Sequence, residues 1–186
     1  MNSTLLADNS EASLKKFLNT LSPVDEVGAK ARVEMLATRS IKTSSKNWAI
    51  DLAIRMVDLT TLEGADTPGK VRALCAKGVY PDPTDLSVPS VGAICVYNDM
   101  VKIARQALDA GGGKDIPVAA VSTAFPSGRA SMEVKVQDTR DAIANGASEI
   151  DMVIDRGAFL AGKLGFVFDQ IKAIKETIEH FKSNDR

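Results

Sequence analysis

With 186 residues, 45% of them hydrophobic, the chain can bury the core of a sizeable domain and lacks the low hydropathy of a disordered protein. Lys+Arg 23 against Asp+Glu 24 leaves a formal net charge of -1, and no basic cluster with interleaved aromatics stands out, which argues against nucleic acid or an anionic membrane as partner. One histidine and two distant cysteines argue against a dedicated His/Cys metal centre.

The amino terminus, MNSTLLADNSEASLKK, has no basic stretch ahead of an apolar segment, and no apolar run approaches the ~20 residues that a membrane span needs. Residues 1–9 read as an irregular start. From Ser10, the positions Leu14, Phe17, Leu18 and Leu21 recur at helical spacing. Ser22-Pro23 predicts a second helix, with Ser22 as N-cap, Pro23 in the first turn, and Asp25 and Glu26 favouring the amino end; it runs to about Thr38. A third helix is predicted over 45–55, with Trp48 and Leu52 packing on the main body. Residues 1–55 thus read as a helical extension ahead of a main body at 56–186.

From Met56 strand, loop and helix alternate. Strands are predicted over 56–62, 91–97 and 116–123, and each is followed by a helix: from Thr67-Pro68 to about Lys77, over 99–110, and from about Ser131 to Asn145. Tyr80 to Pro89, with Pro81, Pro83 and Pro89, is a turn-rich loop. A fourth strand holds Asp151, and the helix after it shows Phe168, Ile171, Ile174, Ile178 and Phe181 at intervals of three and four. Cys75 and Cys95 fall in apolar helix-like and strand-like surroundings and read as reduced thiols in a cytoplasmic protein.

Four β/α units argue for a parallel sheet, doubly wound or closed as a (β/α)₈ barrel. Side-chain alternation favours the barrel. Asp58 and Thr60 share one face of the first strand; Ala93, Cys95 and Tyr97 oppose Ile94 and Val96 on the second; Asp151 opposes Ile150, Met152 and Ile154 on the fourth. Small and polar groups on one side and aliphatics on the other suit a barrel interior that carries a site. A doubly wound sheet would want bulky aliphatics on both faces. An ionised Asp151 inside is costly unless paired, so it reads as a site residue or as half of a buried pair.

Four weaker signals are read blandly. Gly64-Ala65-Asp66-Thr67-Pro68-Gly69-Lys70-Val71 fits G-x-x-x-x-G-K, but the next position is Val71 where a phosphate loop needs Ser or Thr. Thr67 as a helix cap, Pro68 at N1 and Lys70 as a solvated charge explain the same residues. Cys95 reads as a small buried strand residue and His180 as a helix-end surface residue. Glu149 shares the parity of Asp151, and its bland reading is a bond to a Lys or Arg of a neighbouring strand.

Taken together, Val57-Asp58-Leu59-Thr60-Thr61-Leu62-Glu63, Ala93-Ile94-Cys95-Val96-Tyr97 with Ile103-Ala104-Arg105, and Gly146-Ala147-Ser148-Glu149-Ile150-Asp151-Met152-Val153 resemble deoxyribose-phosphate aldolase, a class I aldolase on a (β/α)₈ barrel. The resemblance covers about residues 56–182. It implies reversible cleavage of 2-deoxy-D-ribose 5-phosphate to D-glyceraldehyde 3-phosphate and acetaldehyde through a lysine Schiff base, with no cofactor. It also implies that Asp151 is the proton donor and acceptor, and that Asp58, Thr60 and Cys95 line the substrate pocket.

In the family the Schiff-base lysine lies on the sixth strand, a second lysine on the seventh, and the phosphate on the seventh and eighth loops. The sequence to Arg186 reaches only the fourth helix, so the expectation is an incomplete barrel of four β/α units, inactive on its own. Lys70, Lys102, Lys135, Lys163 and Lys172 fall in loops or helices and are not candidate nucleophiles. The competing reading is a non-catalytic half-barrel that binds sugar phosphate or self-associates across a two-fold axis.

Overall fold

The computed structural model describes residues 10–184; the irregular start expected over 1–9 lies outside the described residues. Helix α1 (Glu11–Leu18) begins where Ser10 accepts a hydrogen bond from Ser13 N–H, and it buries Leu14. It packs against the long last helix, α8 (Leu164–Asn184). Helix α2 (Glu26–Ala37) starts later than Ser22-Pro23 suggested, because the Asp25 carboxylate accepts from Gly28 N–H at 2.8 Å and caps it. None of α2 is buried.

Helix α3 (Thr43–Arg55) corrects a second expectation: Trp48 is 65% and Leu52 38% exposed, so neither is buried on the main body. Ile54 is the residue of α3 that packs against the central core.

Four strands follow: β1 (Asp58–Thr60), β2 (Ala93–Tyr97), β3 (Val118–Ser122) and β4 (Glu149–Met152). They form one parallel sheet in the order β1-β2-β3-β4. Strand order never reverses, as it would in a doubly wound fold, so the chain turns steadily in one direction as a barrel does. Helix α4 (Pro68–Val79) follows β1, α5 (Val101–Ala110) follows β2 after a short 3₁₀ turn at Asn98–Met100, and α6 (Met132–Ala144) follows β3. The five-residue α7 (Arg156–Leu160), which the sequence reading did not separate, and α8 follow β4.

The main core lies between these helices and one face of the sheet. Ile94, Val96, Val118 and Ala120 pack there with Val71, Cys75, Ala104, Leu108 and Ala142, and Leu59 and Ile150 adjoin them. Burying each valine, leucine or isoleucine here contributes about 1.5–3 kcal/mol and each alanine less, so this layer dominates the stability. The other face carries a thinner cluster, Cys95, Ala119 and Val121, flanked by Leu62 and Tyr97. The fold is therefore an incomplete (β/α)₈ arrangement of four units, helices outside and an open concave face inside, preceded by helices.

Gly146 ends the connection into β4 with φ +100, a conformation that disfavours any side chain. Both thiols are buried and unbridged. Among the described residues no helix is long and apolar enough to cross a membrane, and no group of three or more His, Cys, Asp or Glu residues could hold a metal ion.

Candidate active site

Parity sets the inner face. Register pairs Asp58 with Ala93 and Thr60 with Cys95, then Cys95 with Ala119, Ala119 with Glu149, and Val121 with Asp151. Asp58, Thr60, Cys95, Glu149 and Asp151 thus share the face that the helices leave open. Cys95 lies on its floor, 4% exposed, while the four polar residues on β1 and β4 are exposed.

The electrostatics agree with this convergence. Burial pushes the Cys95 thiol above its ordinary pKa; Asp151, Asp58 and Glu149 push it the same way, and the Thr60 hydroxyl opposes them. Three carboxylates from two edge strands therefore act on one central thiol. The expectation that Asp151 is a buried acid in need of a partner is corrected, because the carboxylate meets solvent on the open face. Glu149 is corrected too: among the described residues it forms no ion pair with a neighbouring strand.

Beyond the carboxyl ends of β2 and β3 lies a cavity of about 610 Å³. Tyr97, Asn98, Phe125, Asp138 and Asn145 contribute to its wall, and the Tyr97 and Phe125 rings meet edge-on with centroids 6.2 Å apart. Tyr97 and Val121 belong to both this cavity and the inner face, so the cavity adjoins the candidate site at the end where barrel enzymes place their chemistry.

No protein-family model matches the sequence. The chain is 35% identical over 156 residues to deoxyribose-phosphate aldolase of Homo sapiens and 35% over 151 residues to that of Mus musculus. Those alignments take in 78% and 77% of this chain, but 48% and 47% of the relatives. The crystal structure of a candidate deoxyribose-phosphate aldolase from Coccidioides immitis superposes with a TM-score of 0.60 at 27% identity, covering 70% of this chain and 47% of that one. The chain is a partial-length relative of the deoxyribose-phosphate aldolases. It spans about half the length of the curated relatives it matches.

The aldolase likeness sharpens the question of an amine. None of the four strands carries a lysine. Lys70 sits on α4 and pairs with Asp66 at 2.6 Å, and Thr67 caps that helix through Lys70 N–H, so the G-x-x-x-x-G-K stretch is a helix start. Lys102 and Lys172 are exposed on α5 and α8, and Lys163 is exposed in the turn between α7 and α8.

Lys135 keeps its helical place and is also desolvated. It lies on α6 as read, yet it is fully buried, its Nζ donating to Gln170 Oε1 on α8 at 3.0 Å. Burial holds its pKa below the usual lysine range, and the more distant Asp155 works against that. It belongs to the seam between α6 and α8, behind the sheet and away from the aldolase-like face. Sequence reasoning missed the burial because a lone lysine in a polar helix gives no periodic signal.

Proposed function

We propose that this chain supplies the acid/base half of a deoxyribose-phosphate aldolase site, for cleavage of 2-deoxy-D-ribose 5-phosphate to D-glyceraldehyde 3-phosphate and acetaldehyde. The observation that carries the reading is the convergence of Asp58, Thr60, Cys95 and Asp151 on one open face, in a chain 35% identical to such an aldolase. In this reaction a lysine Schiff base serves as electron sink while a carboxylate, working with water, moves protons at the reacting carbons. Asp151 takes the second role. It stands on the open face near the carboxyl end of β4, exposed and able to exchange protons with solvent. Asp58 and Thr60 line the opposite side of the groove and accept or donate hydrogen bonds to substrate hydroxyls, and Cys95 closes its floor.

The described strands offer no lysine for the first role, so the same proposal holds that the chain alone forms no Schiff base. Treating it with acetaldehyde and borohydride is expected to give only scattered, sub-stoichiometric ethylation of exposed lysines by mass spectrometry; a stoichiometric adduct at one lysine would overturn that part. The substrate assignment is tested by titrating labelled protein with 2-deoxy-D-ribose 5-phosphate and following amide shifts. Changes gathered at Asp58, Thr60, Cys95 and Asp151, and abolished by Asp151→Asn, are the expected result. Changes confined to the outer helices, or none at tens of millimolar ligand, would sink it.

A further inference from the structure

The carboxylate of Asp138, on α6, reaches the ends of two strands directly and a third through one intermediary. Its Oδ1 accepts from Asn98 Nδ2 at 2.8 Å, immediately after β2. Its Oδ2 accepts from Thr123 N–H at 2.8 Å and from the Ser122 hydroxyl at 3.2 Å, at the end of β3. Thr123 carries the connection onward. Its hydroxyl accepts from Val153 N–H at 2.9 Å and lies within donating distance of Val153 O at 2.8 Å and Ser122 O at 2.6 Å. Val153 is two residues beyond Asp151. On the other flank, Asn145 Nδ2 donates to Asn98 Oδ1 at 3.2 Å.

The backbone here is held where it would not rest unaided. Thr123 and Ala124 adopt φ +66 and +64, left-handed conformations that cost non-glycine residues on the order of 1–3 kcal/mol and persist only where the surroundings fix them. Thr123 is fully buried and bonded on both sides, by Asp138 at its N–H and by Val153 at its hydroxyl, and those bonds supply the fixing. Most of these bonds are part-buried, with Ser122 and Thr123 wholly inside, and there an unpaired member is costly because water is scarce.

We propose that Asp138 is a positioning residue: through Asn98, Ser122 and Thr123 it sets the spacing of the ends of β2, β3 and β4, and so the placement of Asp151 against Cys95 and Asp58. It makes no hydrogen bond to any of those three. The inference deepens the proposed site and rests on that reading for its functional meaning, but its geometry can be tested without turnover.

Cys95 is the reporter, because Asp58, Glu149 and Asp151 all bear on its thiol, and Cys75, buried among the outer helices, is the internal control. Iodoacetamide labelling is followed for each cysteine by peptide mass spectrometry as a function of pH. In Asp138→Asn the end of β4 relaxes away from β3, the carboxylates draw back and solvent reaches the thiol. Cys95 labelling below its pKa then rises by about threefold or more, the effect of half a pKa unit, while Cys75 is unchanged. Thr123→Val, which removes the bridging hydroxyl, gives the same pattern, and Thr123→Ser, which keeps it, labels as the parent does. Equal acceleration at both cysteines, the mark of general loosening, overturns the proposal, as does no change at Cys95. Should Asp138→Asn fail to fold, the Thr123 pair decides alone. Absence of the substrate-induced amide shifts would sink the aldolase reading while leaving this relay standing.

Discussion

Cys95 and Asp151 share the open face of the sheet from strands two apart, and the carboxylate helps to keep the thiol protonated. Removing that charge lowers the thiol pKa without unpacking the core, so Asp151→Asn is expected to speed labelling of Cys95 at pH 8 while Cys75, raised by burial beside Arg105, keeps its rate. Rates resolved by peptide mapping check this. Slower labelling of Cys95 would contradict the electrostatic assignment.

Lys135 and Gln170 form a seam whose two members stand or fall together. Among the described residues the buried Gln170 Nε2 group has no partner, and its oxygen has Lys135 Nζ. Lys135→Met alone strips the remaining bond and is expected to destabilise by about 1–3 kcal/mol, whereas Lys135→Met with Gln170→Leu removes both polar ends and is expected to stabilise by about 1–3 kcal/mol. Urea midpoints measure both.

The same pair fixes a pH dependence. Because the folded pKa of Lys135 lies below its unfolded value, the unfolded chain binds the extra proton between the two, and the parent gains stability as pH rises through that window. The advantage of the double variant over the parent should therefore shrink between pH 7 and pH 10. A constant difference would mean that the folded amine stays charged throughout, as it does in the unfolded chain.

Gly128 has φ +71, and a Cβ there would run into the carbonyl oxygen of Ile154. Gly128→Ala is expected to cost about 2–4 kcal/mol and to disturb the loop after β3 first. Thermal unfolding gives the first quantity; amide shifts of Thr123 and Val153 report the second.

Helix α2 buries none of its residues, and a helix of this length has little stability without packing. Its amides should exchange with solvent far faster than those of α4 or α5, which lie in the core, and limited proteolysis should cut within 19–42 before it cuts the sheet. Protection in α2 equal to that of α5 would show that something covers it.

The sheet and its polarity were legible in the sequence because alternation leaves a clear trace: Ile94 and Val96 against Cys95 and Tyr97, and Ile150 against Asp151. The cap of α4 was legible for a similar local reason, Thr67 followed by Pro68. What escaped reading depends on neighbours distant in sequence. Trp48 was expected to pack on the main body and stands in solvent, and Lys135 was read only as a loop or helix residue and lies buried in a helix seam. Asp138 was equally invisible, since its partners Asn98 and Thr123 lie 40 and 15 residues away. Asp151 was read as an acid in need of a partner because alternation along its strand aims it at the inner face, and in the four-stranded sheet that face opens to water.

Spatial order in the sheet repeats chain order, so each strand is bonded only to those next to it in sequence. A nick in the turn between α5 and β3 would thus sever a single ladder, β2 with β3, and leave each piece a self-consistent pair of parallel strands with its own helices. Such pieces, expressed separately, are natural candidates for recombination in the test tube, with regained cysteine burial as the sign that the halves have found each other.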